Sequence, residues 1–394
     1  MTIGKIEPGQ APLTQISPSK WLKQNLFSSW YNYILTIVSL GIVYWVGSKL
    51  FTWAFYAADW TVLQANFRLF FVGRYPVKSL WRAWITLGVI VALGGISWGV
   101  FAHQAAKLFT RRILIILGLL AVTCGLVAIP GGVQSSAILL GMLLLLIAGA
   151  FLGKKLSGQA PNFLSWLPVL WILAFGFNIW LLLGGNSVNL DRVSGLMLTI
   201  PVAIISILLC FPFGVLLALG RQSDLPVIRW LSIAYIELVR GVPLITIIFM
   251  AQVMLPLVLP PEIRLDRVIR AIAGFTLYSA AYLAENVRGG LQSIPRGQRE
   301  AAKALGLNSV YALWFVILPQ ALKTVIPSMV GQFIALFKDT SLLAIVGMTD
   351  LLGMSQSILA NPKYLGRYGE VYLFVAAIYF VCCYAMSAAS RKLE

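Results

Sequence analysis

Four pairs of charged residues in the C-terminal half stand within or beside apolar stretches, where charge is costly and usually functional. They are Asp191/Arg192, Glu237/Arg240, Glu285/Arg288 and Lys338/Asp339. Two of the pairs are spaced by three residues, which places both members on one face of a helix. Passage or binding of a polar solute is the chemistry that such charges would serve. Mutual neutralisation that eases membrane insertion is the alternative, and it is weakest for Lys338/Asp339, which lies deepest in its apolar stretch.

A break in the helical pattern follows the second of these pairs. Gly241, Val242 and Pro243 come directly after Arg240. Proline disfavours helical geometry at the residue before it, and glycine permits unusual backbone angles. The sequence therefore predicts that one helix ends here and the next span begins, an arrangement that often lines a solute path. A simple kink stabilised by packing is the alternative.

A polar, charged island at residues 289–319 separates two strongly apolar segments. Gly289-Gly290 predicts a turn out of the membrane, and Pro295 begins a second turn. Good helix formers follow at 298–305, and Gly306 suits the C-cap of a helix. The island therefore predicts a short helix that lies along the cytoplasmic face.

Small side chains on this predicted helix would allow a partner to approach closely. Ala301, Ala302 and Ala304 are the small residues, and Arg299 and Glu300 could fit a polar cleft. An ordinary amphipathic loop helix is the alternative explanation.

The composition is that of a polytopic helical membrane protein. Of 394 residues, 59% are hydrophobic and 11% are charged, whereas about 25% are charged in soluble proteins. The formal charge of +17 is better explained by basic loops at a membrane surface than by nucleic-acid binding. The four cysteines lie in apolar segments and predict no metal site.

No nucleotide-binding motif is present. The stretch Gly149-Ala-Phe-Leu-Gly153-Lys154-Lys155 lacks the spacing of a P-loop. It instead predicts a small-residue packing face with a basic flank.

Ten membrane-spanning helices are predicted, in an all-α fold. They lie near 33–53, 83–102, 113–130, 136–153, 163–183, 194–220, 242–259, 269–288, 322–346 and 370–390. Residues 1–32 predict a cytoplasmic tail, and 58–81 is too interrupted to span, which favours an interfacial or re-entrant segment. The chain divides near residue 190 into extra helices (33–185) and a second half (190–394). The balance of Lys and Arg in the loops favours two cytoplasmic termini, although Arg264, Arg267 and Arg270 then form a basic strip outside.

Several segments in one order resemble the membrane subunits of ABC importers for polar amino acids. The second half carries Ser194-Gly195-Leu-Met-Leu-Thr199, Glu237-Leu-Val-Arg240-Gly241-Val-Pro243-Leu, Glu285-Asn-Val-Arg288-Gly289-Gly290, Glu300-Ala301-Ala302 with Gly306, and Lys338-Asp339-Thr340-Ser341. The island is similar to the EAA loop through which these permeases dock onto their ATPases, with Val316 where Ile is usual. In the first half, 66–76 and 81–84 resemble the longer permeases of general L-amino-acid importers.

This resemblance implies a C-terminal five-helix core of the type I importer class and a place in a larger assembly. The expected partners are a second, homologous permease (a heterodimer), two ATP-binding subunits, a periplasmic amino-acid-binding protein and membrane lipid. The chain would bind no cofactor and catalyse no reaction, since ATP is used by the partner subunit. It would be a multi-pass protein of the bacterial inner membrane that imports amino acids.

The resemblance also implies roles for individual residues. Coupling to the ATPase is expected at Glu300, Ala301, Ala302, Gly306, Leu318 and Pro319. The substrate path is expected at Glu237, Arg240, Glu285, Lys338 and Asp339, where a cation and an anion would suit the carboxylate and ammonium groups of a zwitterion. The first five helices are expected to act as a scaffold or to pack against a partner.

The alternative function is an ion-coupled secondary transporter of small polar solutes. It would need inverted repeats and ion ligands near the membrane midplane, and neither is evident in the sequence. A membrane enzyme would require a cluster of His, Asp and Glu at the interface. Because the sequence has a single histidine, His103, a membrane enzyme is a poor explanation.

Overall fold

The computed structural model describes residues 22, 25–102, 108–159, 163–184, 188–260 and 262–391. Most of the predicted tail at 1–32 lies outside these ranges, as does His103. The described chain is helical throughout, as predicted, and its only β-type pairing is an isolated bridge between Gly195 and Asp350. It forms two compact units, divided after Asp59.

The described part of the first unit is dominated by one helix. Helix α1 (Trp30–Thr52) continues as a π-helical turn to Ala57. Nearly all its side chains are exposed, apolar ones included, which suits a helix surrounded by lipid.

The second unit holds the remaining helices, in the order in which the chain forms them. They are α2 (Thr61–Val72), α3 (Leu80–Phe101), α4 (Arg111–Leu126), α5 (Ala128–Gln159), α6 (Phe163–Leu183), α7 (Leu196–Arg221), α8 (Pro226–Arg240), α9 (Leu244–Val258), α10 (Arg267–Ser293), α11 (Arg296–Ala304), α12 (Ser309–Ala312), α13 (Leu318–Asp339), α14 (Leu351–Leu359) and α15 (Tyr368–Ser390).

Each of the ten predicted spans corresponds to a helix. Seven described helical segments are long and apolar enough to cross a membrane, or eight if the bent pair α8 and α9 counts as one. The other two predicted spans are α4, which has 16 residues, and α10, whose face of polar side chains lowers its hydropathy. Helix α13 starts four residues before the prediction and ends at Asp339, where a 3-10 turn (Thr340–Ala344) replaces the last predicted turns.

Helices α3 and α5 pack through glycines at backbone distance. A Cβ atom on Gly95 or Gly99 of α3 would overlap the carbonyls of Leu146 and Ala150. Gly149 and Gly153 of α5 meet the α3 backbone in the same way. The predicted small-residue packing face is therefore confirmed, since two glycines four apart on each helix let the backbones approach.

The main core lies where α7, α10 and α13 meet. Its centre includes Cys210, Leu283, Val287, Ile317 and Leu336, all nearly inaccessible to solvent. This three-helix contact determines where the ends of α7, α10 and α13 stand relative to one another.

Helix α2, in the segment predicted to be interfacial or re-entrant, packs against the C-terminal helices. Val62 and Phe70 are fully buried among residues of α14 and α15, including Leu351 and Val371. Its 12 residues are too few to span a bilayer. Helix α14 was not among the predicted elements; Asp350 caps its first turn by accepting hydrogen bonds from the backbone N–H groups of Leu352 and Gly353.

Candidate functional site

A short helix interrupts the chain between α10 and α13, where the sequence predicts one. Helix α11 begins at Arg296, directly after Pro295, and ends at Ala304. Two residues later, Gly306 has a left-handed backbone with a φ of +80°. The N–H of Gly306 donates to Lys303 O (2.9 Å) and that of Leu307 donates to Ala302 O (3.1 Å). These two bonds form a Schellman motif, which confirms the predicted C-cap.

Helix α10 ends at a later residue than predicted. The turn predicted at Gly289-Gly290 is wrong, because α10 continues to Ser293. Gly290 is buried, and a Cβ there would lie 2.7 Å from Ala321 O and from the Val325 side chain. The glycine therefore permits close packing of α10 on α13, and Pro295 makes the turn.

The six residues predicted to couple this segment divide into two groups. Glu300, Ala301, Gly306 and Pro319 are exposed, whereas Ala302 and Leu318 are buried. The buried pair attaches the segment to its own chain, and the exposed residues leave a free surface. Leu305, 81% exposed, adds an apolar side chain to that surface.

The segment 289–319 is also tied to α13 by polar contacts. The side-chain amide of Gln320 donates to Gln298 Oε1 of α11 (3.2 Å) and to Val316 O (2.8 Å). A displacement of α11 would therefore act on α13 as well as on α10, from which α11 is separated by only two residues.

The predicted break at Gly241-Val242-Pro243 is present as a sharp bend. Helix α8 ends at Arg240, α9 begins at Leu244, and the two helices differ in direction by 102°. The bend brings the end of α8 against α10, and with it the charges of Glu237 and Arg240.

Five charged side chains meet at the ends of α7 and α8 and along α10; we call Arg221, Glu237, Arg240, Glu285 and Arg288 the charged cluster. Arg221 Nη1 donates to Glu237 Oε1 (3.0 Å) and to Glu285 Oε1 (2.6 Å). Arg288 donates to Glu285 Oε2 from Nε (3.0 Å) and from Nη2 (2.8 Å). Arg240 Nη1 lies 3.7 Å from Glu285 Oε2. One carboxylate therefore serves three guanidinium groups.

Glu285 is the centre of the charged cluster. Its side chain is 16% exposed, while that of Glu237 is 56% exposed. Arg240 also lies over the ring of Tyr282, 5.6 Å from its centre, in a cation–π contact. Tyr282 in turn accepts a hydrogen bond from Tyr278 (3.1 Å), which extends the polar surface along α10.

The predicted path residues fall in two places. Glu237, Arg240 and Glu285 are brought together, whereas Lys338 and Asp339 stand at the end of α13 and make no ion pair with the charged cluster among the described residues. Asp339 lies close enough to Tyr278 to interact electrostatically. The structure therefore divides the predicted path residues between the charged cluster and the end of α13.

Arg221 is a cluster residue that the sequence did not predict as a site. Its position at the end of an apolar helix, next to Gly220, is typical of a residue that orients a span. No local spacing pairs it with Glu285, which is 64 residues away, so only the packing of α7 on α10 reveals the contact.

The charged cluster and segment 289–319 both fall within residues 210–394, which match the family described as the inner membrane component of binding-protein-dependent transport systems. Over 397 aligned residues the chain is 38% identical to the inner membrane amino-acid ABC transporter permease protein YhdY of Escherichia coli, covering 95% of this chain and 91% of that protein. The chain belongs to the family of amino-acid ABC transporter permeases.

This permease is also similar to a second protein along its whole length. It is 35% identical to the glutamate/glutamine/aspartate/asparagine transport system permease protein BztC of Rhodobacter capsulatus, over 99% of this chain and 96% of that protein. A crystal structure of an amino acid ABC transporter with histidines matches 51% of this chain and 91% of its own, with 29% identity and a TM-score of 0.46. The first half of the permease is thus shared with the two relatives of similar length.

Proposed function

We propose that this permease subunit imports amino acids across the bacterial inner membrane, driven by ATP that a separate subunit hydrolyses. The observation that carries the proposal is α11: a capped helix, attached to its own chain through the buried Ala302, that presents an exposed face to a partner. Such a helix between two packed spans suits transmission of force.

The coupling step begins at the exposed residues of segment 289–319. Glu300 and Ala301 would enter a cleft on the ATPase. Gly306 and Pro319 would maintain the backbone conformation of the segment. Closure of the ATPases would displace α11. Because Gln298 is bonded to Gln320 and Gly290 packs on α13, α10 and α13 would tilt together.

The charged cluster would form the inner end of the substrate path, with Lys338 and Asp339 further along it. In the arrangement observed, Glu285 is occupied by Arg221 and Arg288. A tilt of α10 would loosen these ion pairs, and the carboxylate and ammonium groups of an amino acid would exchange with them. The ion pairs would thus close the path when no substrate passes.

The assembly that we propose contains a second, homologous permease, two ATP-binding subunits, a periplasmic amino-acid-binding protein and surrounding lipid. Both termini of this chain would be cytoplasmic, which places segment 289–319 and the charged cluster on the side of the ATPases. The amphipathic helix α8 would then lie along the cytoplasmic surface, with its exposed Trp230 and Leu238 in the interface.

The test is ATP-dependent uptake of labelled amino acids by membrane vesicles that contain the permease and its partners. Gly306→Asp and Glu300→Arg should reduce uptake to background, and the ATPase should no longer co-purify with the permease.

Matched controls separate docking from folding. Gly366 has the same kind of left-handed backbone (φ +85°) with open space around it, as Gly306 has, but it lies in the loop before α15. Gly366→Asp should therefore carry the same backbone strain and leave uptake intact, and Glu262→Arg is the control for Glu300→Arg. Normal uptake by both Gly306→Asp and Glu300→Arg would contradict the proposal, and uptake that proceeds without the ATPase would favour a secondary transporter.

A further inference from the structure

A small cavity opens where four distant parts of the second unit meet. Its volume is about 210 Å³, which is below the roughly 300–1,000 Å³ of pockets for drug-sized ligands. Its walls come from the turn after α2, from Leu190 and Asp191, from the start of α10 and from the loop before α14. We call it the outer cup, because Arg267 belongs to the basic strip that the sequence predicted outside the membrane.

The outer cup has an apolar floor and a charged rim. The floor includes Val193, Leu198 and Met348, which are all buried. The rim carries Arg74, Asp191 and Arg267, which are exposed. Opposite charges beside an apolar floor are the features that would recognise a small zwitterion with a side chain of its own.

The rim charges do not neutralise one another. Arg267 Nη2 donates to Val346 O and Gly347 O, both at 3.1 Å, which fixes its guanidinium at the wall. In the part of the chain that the structure describes, the guanidinium of Arg74 and the carboxylate of Asp191 make no hydrogen bond or ion pair. A cation and an anion that line one cavity are thus both open to a ligand.

The backbone that carries Arg74 is held against the start of α7. The N–H of Arg74 donates to Ser194 Oγ (2.7 Å). Gly73 has a φ of +53°, and a Cβ there would overlap Ser194. A Cβ on Gly195 would lie 2.7 Å from Phe70 O. Asp191 is three residues before Ser194, so Arg74 and Asp191 lie on two backbone segments that are in contact. This preorganisation reduces the conformational entropy that ligand binding would cost.

We propose that the outer cup is a low-affinity entry site for an α-amino acid, before it reaches the path between the helices. Arg74 would bind the α-carboxylate, Asp191 the α-ammonium group, and the floor the side chain. This inference rests on the proposed function, since the cup must face the side from which substrate arrives. It also gives the first half a role in recognition, because Arg74 lies outside the matched residues 210–394.

The test is binding of free amino acids to the whole permease–ATPase complex in lipid nanodiscs, without binding protein, followed by ligand-observed saturation-transfer NMR. The probes are L-glutamine, L-glutamate, L-asparagine and L-aspartate at millimolar concentration. Arg74→Gln and Asp191→Asn should each weaken binding about tenfold, the effect of losing one charge-assisted contact. Arg192→Gln is the matched control, since Arg192 is a neighbouring exposed arginine that does not line the cup, and it should bind as the wild type does.

Chemically altered probes assign each contact. The α-amide of a probe lacks the carboxylate, and its Nα-acetyl derivative lacks the ammonium group. The wild type should discriminate against both. The Arg74→Gln variant should bind the amide as well as it binds the parent amino acid, but should still bind the acetyl derivative more weakly. The Asp191→Asn variant should show the opposite pattern. A merely structural effect of either substitution would weaken all probes alike and would overturn the assignment.

Other outcomes also overturn the inference without touching the proposed function. Equal binding by all variants would do so. Unchanged binding of free amino acids by Arg74→Gln, together with weaker capture of the binding protein, would mean that the cup takes an acidic side chain of that protein instead. Failure of the proposed function is recognised separately, as absence of ATP-dependent uptake by the wild-type complex in proteoliposomes.

Discussion

Arg221 and Glu285 are joined by a hydrogen bond of 2.6 Å between the end of α7 and the last third of α10. It is the shortest of the contacts that Glu285 makes with three arginines. The bond connects the first helix of the matched core to the helix that leads into segment 289–319. A tilt that moves this part of α10 away from the end of α7 would stretch it.

We expect Glu285→Gln to destabilise the permease more than Glu237→Gln does. Glu285 is largely buried. Its loss would leave Arg240 and Arg288 without a carboxylate partner, and Arg221 with only Glu237, at a cost of about 2 kcal/mol. Glu237 is mostly exposed, so its loss should cost at most about 1 kcal/mol. Unfolding of the two variants in detergent, compared with the wild type, measures the difference. Equal stability of both variants would mean that water screens the ion pairs of the charged cluster and that these pairs do not stabilise the fold.

We expect Gly99→Ala to separate α3 from α5. The added methyl group would overlap the carbonyl of Ala150, and overpacking of this kind costs about 1–3 kcal/mol. Gly94→Ala is the control, because Gly94 is in the same helix with open space around it; it should be neutral or stabilise by roughly 0.5–1 kcal/mol. Thermal unfolding in detergent measures both variants, and a stable Gly99→Ala protein would contradict the close packing.

We expect the stability of the permease to fall as pH rises, through Asp350. Burial raises the pKa of this carboxyl to about 7 from its ordinary value of 3.8. The folded protein favours the protonated carboxyl group of Asp350. This contribution to stability is therefore complete below the pKa that Asp350 has in the unfolded chain, and it is lost as the pH rises through the pKa that Asp350 has in the folded protein. Asp350→Asn keeps a capping oxygen and removes the titration. Its unfolding temperature should therefore change less than that of the wild type between about pH 5 and about pH 8; identical pH profiles would exclude Asp350 as the cause.

We expect Phe70→Ala to destabilise the C-terminal core although it lies in the first half of the chain. Phe70 is fully buried, with its ring 5.0 Å from that of Phe374, and such a truncation costs about 3–5 kcal/mol. Phe101→Ala, at a side chain that is 72% exposed, is the control.

Deletion of residues 1–185 tests the same packing on a larger scale. It would remove α2 and uncover Leu351 and Val371, so the truncated permease should aggregate or lose uptake. If it is stable and transports normally, the first half acts as a scaffold or packs against a partner, which are the two roles expected from the sequence.

The sequence by itself determined the features that depend on neighbours along the chain. The spans follow from runs of apolar residues, α11 from its helix formers with Pro295 and Gly306 at its two ends, and the bend from Gly241 and Pro243. The caps and the bend act within about one turn of helix, and a span is a continuous run of about 20 residues, so each can be read without knowledge of the fold. The predicted turn at Gly289-Gly290 was wrong because Gly290 serves the close packing of α10 on α13 instead.

Only the tertiary structure decided which distant residues meet. Arg221 reaches Glu285 across 64 positions, and Arg74 reaches Ser194 across 120. It also separated Lys338 and Asp339 from the charged cluster and placed α2 among α14 and α15. The physical reason is that such contacts depend on the angles and depths at which helices pack, and these follow from the fit of many side chains at once rather than from any local pattern.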